Sequence, residues 1–402
     1  MRKLFFFALL LAGLAPATPA QVSTQPAPRQ SPAAQTPAGQ RPSAPQQQPQ
    51  RPPASLDPAE YGVRIEPEPR LIVMMAALEA AGLELTPQGS RPSPFRTQVR
   101  GDLAGLDADL RARMQTFFRR HRLPDPATPA EQAARYVSLA YVLGPPPAFE
   151  LPARTDDLPG GVLEVLDFAP LVREFYRRSG VDERLPEYVR AAHAVGTQMR
   201  PAAVEMVRSV LTYLHTRPQL TYLERAPAPP SPASGDRGRQ QQRNPVMHER
   251  ERTFRLVPDL LAAPGAINFR VIGDDYYAIV PAGASASSPE LRRAYLQFVV
   301  DPLVLRFNRE VAARRAEIRA LLDAERARAK SDITVDPFIA VARSLVAAAD
   351  ARMTEAPRIE AATARARSLL ASAKTDAERA AVTKEMQEEQ RAAQDATAAQ
   401  LA

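Results

Sequence analysis

Apolar and polar positions follow two different periods along this chain. Up to about residue 225 the period is helical. "PRLIVMMAALEAAG" (69–82) predicts a helix that stops at Gly82. "TPAEQAARYVSLAYVLGPPP" (128–147) predicts another, with Thr128 as N-cap, Pro129 in the first turn and Glu131 closing a capping box. Gly144 and the prolines after it end that helix. "DFAPLVREFYRRSG" (167–180) and "PEYVRAAHAVGTQMRPAAVEMVRSVLTYLH" (186–215) follow, the latter with a break expected at Pro201. Past residue 249 the period drops to two. "RTFRLV" (252–257), "INFRVI" (267–272) and "YYAIV" (276–280) predict short strands of a small antiparallel sheet, with "LTYLE" (220–224) as a further candidate strand.

The helical period returns in "ELRRAYLQFVVDPLVLRF" (290–307), where Leu291, Tyr295, Phe298 and Val299 share one face. A kink is expected near Pro302, then a long charged helix to about Lys330. Residues 336–353 and 356–373 predict an antiparallel helix pair. An Ala- and Gln-rich segment follows, with Thr375 and Glu378 in capping-box spacing. The expected class is therefore α+β and predominantly α-helical. Its order is a helical N-terminal region, a small antiparallel sheet, the helix at 290–307, then a C-terminal helical hairpin or long, coiled-coil-like helices.

Composition adds the ends. Arg2 and Lys3, the apolar "LFFFALLLAGLA" (4–15) and the small residues of "TPA" (18–20) form the pattern of an export signal, with cleavage expected after Ala20. From Gln21 to Leu56 half of the 36 residues are Pro or Gln and none is acidic, the composition of a disordered tether. The polar stretch at 226–248 predicts a disordered loop insertion. The expected organisation is a signal at 1–20 and a tether at 21–56. One domain is made of 57–225 and 249–307, with a C-terminal helical region at 308–402. There is no cysteine, which excludes both disulfides and a lipidated N-terminal Cys. No later apolar run reaches the ~18 residues of a membrane span. The expected location is thus exported, periplasmic or secreted, with no integral membrane span in the mature chain.

The net charge of +7 comes almost wholly from Arg, since Lys occurs only at 3, 330, 374 and 384. Its densest cluster, "RARMQTFFRRHR" (111–122), interleaves Phe117 and Phe118 with arginines, as single-strand binders do. The same spacing suits an amphipathic helix with both rings inward and the charges in water, which is the reading adopted. No nucleic-acid partner is expected.

The order of helices, a short sheet, then a helix ending in "FVVDP" resembles a group of exported bacterial metallopeptidase-like proteins of the gluzincin type. The resemblance is carried by "RLIVMMAALEAAG", "MQTFFRRHRL", "AARYVSLAYVLG" and "LVREFYRRSG", and covers roughly residues 60 to 310. It implies a zinc helix with His-Glu-x-x-His shortly before an Asp-Pro or Asn-Pro. Anchored on Asp301 and Pro302, the two His positions fall on Arg293 and Gln297, and the Glu on Ala294. Arg does not deprotonate to ligate, Gln is a poor zinc ligand, and Ala accepts no proton from water. The resemblance also implies a third, downstream Glu ligand, for which Glu317 is the formal candidate. No metal, no cofactor and no peptidase chemistry are expected.

Other chemistry is sparse. The histidines at 121, 193, 215 and 248 show no ligand spacing, and no phosphate loop or nucleophile elbow occurs. "GDDYY" (273–277) sets Asp274 and Asp275 beside two phenols, which suits either acid–base chemistry or a hairpin turn feeding an aromatic strand. Three functions follow: a pseudo-peptidase that binds a peptide or an envelope protein; an envelope adaptor working through the C-terminal helices; or a hydrolase using Asp274 and Asp275.

Overall fold

The helical and alternating segments meet at a four-stranded sheet with a helical core on each face. The structure is a computed structural model and describes residues 57–153, 158, 160–226, 246–329 and 334–401. The expected signal (1–20), the tether (21–56) and residues 227–245 of the expected loop lie outside the described residues. Strand β1 (Val63–Ile65) is followed by helices α1 (Pro69–Ala80), α2 (Pro94–Asp102), α3 (Ala108–Arg120), α4 (Pro129–Val142), α5 (Gly160–Leu163), α6 (Phe168–Arg178) and α7 (Val181–Leu214). Next come β2 (Thr221–Ala226), β3 (Val246–Glu251), β4 (Phe254–Asp259), β5 (Asn268–Ile272) and β6 (Asp275–Pro281). The chain ends in α8 (Pro289–Arg306), α9 (Asn308–Ala313), α10 (Arg315–Ala329), α11 (Pro337–Ser372) and α12 (Asp376–Leu401). The α+β, predominantly helical class is borne out. No helix among the described residues is long and apolar enough to cross a membrane.

The strand pairing is richer than the expected antiparallel sheet. The order is β1-β4-β6-β5, with β1 and β6 both parallel to β4 and β5 antiparallel to β6. Burial explains the order. Strand β6 is almost wholly buried and takes an interior place, whereas β5, with Val271 and Ile272 exposed, goes to the edge. The hairpin between them turns at Gly273, which has φ of 60°, so the turn reading of "GDD" holds. "LTYLE" does not join this sheet. It forms part of β2, which pairs with β3 as a separate antiparallel ribbon from Thr221↔Glu251 to Ala226↔Val246. The expected loop at 226–248 therefore begins and ends as strand.

One face of the sheet packs Val257 and Ile279 against α1, α3, α4, α6 and the first half of α7. The other packs Phe254, Leu256, Ala278 and Val280 against α8, the second half of α7 and α11. Helix α7 crosses from one core to the other without a break at Pro201, because buried Met199 and Ala203 hold it on either side of the proline. At the crossing sits Gly196, where a Cβ would come within 3.2 Å of both Ile65 and Pro258. The capping box of Thr128 and Glu131 is present as expected. At the end of β4, Asp259 is buried. Its Oδ1 accepts from the N–H groups of Leu261 (2.9 Å) and Ala262 (3.1 Å), its Oδ2 has no partner, and burial pushes its carboxyl up to about 6.

Two expectations for the C-terminal region are corrected. Residues 336–353 and 356–373 form not a helix pair but the single helix α11, with Pro357 inside it. Packing against α8 on one side of the proline and α12 on the other outweighs its lost hydrogen bond, and the hairpin partner is α12. Nor does the chain after residue 308 form a separate region. Ala342, Val346 and Met353 of α11 complete the core that contains α8, so the described chain from Asp57 on is one compact unit.

Candidate functional site

Helix α8 starts at Ser288, whose Oγ accepts from Leu291 N–H at 3.3 Å, with Pro289 in the first turn. Its apolar face is the expected one. Leu291, Tyr295 and Phe298 are buried against the sheet, and Tyr295 meets the Phe254 ring edge-on at 5.3 Å. With that face fixed, Arg293, Ala294, Gln297 and Asp301 turn toward a groove between the β5–β6 hairpin and α11. A cavity of about 580 Å³ there is bounded by Tyr276, Gln297, Asp301, Phe338 and Ile339. A second, of about 300 Å³, is bounded by Phe269, Val271, Arg293, Ala294 and Val346. Tyr276 and Gln297 line both, so the two adjoin along α8.

The zinc-motif positions hold no metal-ligating arrangement. Arg293 Nε donates to Asp350 Oδ2 at 2.6 Å. Its neighbour Arg292 donates from Nε to Asp350 Oδ1 at 2.6 Å and from Nη2 to Thr354 Oγ1 at 2.9 Å. Asp350, 1 % exposed, is thus clamped by two guanidinium groups and ties α11 to α8. Ala294 is a plain apolar wall of the smaller cavity. Gln297 Nε2 lies 3.5 Å from Asp301 Oδ2, which also accepts from the Tyr276 hydroxyl. Glu317 is exposed on α10 and lines neither cavity. Among the described residues no group of three or more His, Asp or Glu side chains converges to hold a metal ion. The zinc that the resemblance implies does not fit this donor set: one position is a cation bound to a carboxylate, and another is a methyl group.

Electrostatics single out Asp301. Burial pushes its carboxyl above the usual range, while bonds from Tyr276 and Gln297 and the charge of Arg252 pull it back. Burial, then the bond to Asp301, raises the Tyr276 phenol as well. Arg252 is itself buried; its Nη1 donates to the Gln219 carbonyl (3.0 Å), its Nη2 to the Phe298 carbonyl (3.1 Å), and its guanidinium carbon lies 4.7 Å from the Phe298 ring centroid. The structure separates the two candidate acid–base carboxylates. Asp275 Oδ1 accepts from the Thr253 hydroxyl (2.5 Å) and N–H (3.2 Å), and its Oδ2 lies 3.4 Å from Arg255 Nη2. Asp274 instead lines the larger cavity, with Arg250 Nη1 3.8 Å away.

Reading the sequence missed Arg252 and Asp350. Each meets its partners across more than thirty residues of chain, and no local spacing marks either. Tyr276 was visible only as one phenol of "GDDYY". Of the four histidines, His121 stacks on Phe117 at 4.0 Å, His193 lies on the surface of α7, and His215 ends α7 with φ of 49°. His248 pairs through its backbone with Glu224. In comparison with known proteins, no family model, no curated protein and no solved structure matches the chain.

Proposed function

We propose that this is an exported, non-catalytic protein of gluzincin-like ancestry that binds an extended peptide, free or part of an envelope protein, in the groove along α8. The observation that carries this reading is β5. It stands at the sheet edge directly beside the groove, with Val271 54 % exposed and Ile272 37 % exposed. A strand added there would take main-chain hydrogen bonds from β5, and the adjoining cavities would receive its alternate side chains. At the start of β5 the edge is partly closed, because Arg270 Nη1 bonds the Phe269 carbonyl and its other nitrogens reach Ser138 and Ala134 on α4. The open half is therefore Val271–Ile272. Without zinc ligands or a base on α8, the bound peptide is held and not cut.

Screening extended peptides against the mature chain by calorimetry tests this. Val271→Pro, which removes an edge N–H, is expected to weaken binding at least tenfold, as is N-methylation of the peptide backbone. Binding that survives both changes would overturn strand addition.

A second reading keeps the C-terminal helices as the working part. It rests on the α11–α12 hairpin, whose Ala362, Ala366 and Ala393 are buried in the contact between the two helices. Capture of an envelope protein by the full chain, lost when α12 is deleted and unaffected by Val271→Pro, would favour that reading.

A further inference from the structure

The larger cavity has one chemical feature that its walls leave open. Asp301 Oδ2 is taken by Tyr276 and Gln297, but its Oδ1 accepts no hydrogen bond among the described residues, and Asp301 forms no ion pair with any of them. Arg252 attracts it by charge without forming an ion pair, its Nη1 and Nη2 each donating to a backbone carbonyl. A carboxylate that has lost much of its hydration and retains an unused acceptor favours an incoming cation with N–H donors. The walls leading to it are apolar: Pro302, Val304 and Leu305 of α8 face Phe338, Ile339 and Ala342 of α11. Tyr276 adds an aromatic wall next to the carboxylate. An aliphatic stem fits such walls, and a cationic head gains from an aromatic neighbour.

We propose that this cavity is a side-chain pocket for a basic residue, arginine above all, whose guanidinium donates to Asp301 Oδ1 while its methylenes lie between α8 and α11. This deepens the peptide-binding reading and rests on it for the identity of the ligand, though the pocket chemistry is testable alone. Asp274 also lines the cavity, its charge partly offset by Arg250 at 3.8 Å. Arg306 lines it too, is exposed to water and forms no ion pair with Asp301 among the described residues.

The first probe is n-butylguanidinium, with n-pentanamide as a neutral molecule of similar shape, titrated into the full mature chain and followed by NMR. The cation is expected to bind saturably and at least tenfold more tightly than the amide. Asp301→Asn should remove that preference. Ile339→Lys, at a half-exposed wall position, should abolish cation binding by placing an ammonium group in the pocket, and it keeps the test valid if Asp301→Asn does not fold. Equal binding of the two molecules, no saturable binding, or a preference that persists in folded Asp301→Asn and Ile339→Lys would overturn the proposal. The second probe is a pair of extended peptides that bind the groove, differing by arginine or citrulline at one position. Peptides that bind without discriminating would leave the peptide reading standing and sink the pocket. Binding of n-butylguanidinium without binding of any peptide would leave the pocket standing and sink the peptide reading.

Discussion

Arg293 and Asp350, 57 residues apart in sequence, form a 2.6 Å ion pair at the place on α8 where the gluzincin resemblance puts a zinc-binding histidine. The carboxylate facing that helix therefore comes from α11, and the position on α10 that seemed eligible, Glu317, points to water. Two guanidinium groups, those of Arg292 and Arg293, pair with Asp350 and join the two helices.

The chain as purified is expected to contain no stoichiometric zinc. Installing Arg293→His, Ala294→Glu and Gln297→His together should create zinc affinity measurable by calorimetry, with Asp350 as the third ligand. Adding Asp350→Ala should abolish that affinity, and adding Glu317→Ala should leave it unchanged. Zinc affinity that depends on Glu317 would show that the geometry of α10 is misread.

Removing Asp350 from the unmodified chain leaves Arg292 and Arg293 facing each other without their common partner. Breaking a buried ion pair from one side typically costs about 3 kcal/mol or more. Asp350→Ala should lower the urea midpoint accordingly. Arg293→Ala should cost under about 1 kcal/mol, because its side chain is half-exposed and Arg292 still holds the carboxylate.

Tyr295 is fully buried, edge-on to Phe254, and its hydroxyl donates to the Tyr61 carbonyl at 3.2 Å. Tyr295→Ala is expected to cost about 3–5 kcal/mol as a large-to-small core change. Tyr295→Phe loses only the hydrogen bond and should cost about 1 kcal/mol. Comparable losses in the two variants, read by chemical denaturation, would mean that the hydroxyl and not the ring holds α8 in place.

Asp259 gives the fold a pH dependence. Its folded value of about 6 lies above the ordinary 3.8, so folding favours the protonated form. The stabilising contribution is complete below about pH 4, is lost as pH rises through 6, and stays lost above it. The span of the shift corresponds to about 3 kcal/mol. Between pH 3 and pH 7, the stability difference between Asp259→Asn and the parent should move by about this amount in the variant's favour. A pH-independent difference would place the ionised carboxylate in a more polar setting than its burial indicates.

What the sequence made legible was local. Thr128, Pro129 and Glu131 announce the start of α4 because capping chemistry is complete within one turn. Leu291, Tyr295 and Phe298 reveal the buried face of α8 for the same reason. Strand partners were less visible: β1 has only three residues, too few to show a period, and its parallel pairing with β4 joins Val63 to Phe254. Pro201 reads as a break and residues 336–373 as two helices, since the packing that carries α7 through Pro201 and α11 through Pro357 is tertiary. At the candidate site, Gln297 and Asp301 were readable as neighbours on one helix face. Asp350 and Arg252 were not, because nothing in their own segments distinguishes them from surface charges.

Helix α7 has a further consequence. At 34 residues it runs for about 51 Å, and its two halves form walls of two different hydrophobic cores. Neither core can open while the other stays closed unless this helix breaks in the middle, where Gly196 packs so closely that a Cβ would come within 3.2 Å of both Ile65 and Pro258. Melting should therefore be a single cooperative event. A reporter placed near Tyr188 in one core and another near Met206 in the other should lose their signals at the same temperature, even though the groove is built on only one of the two.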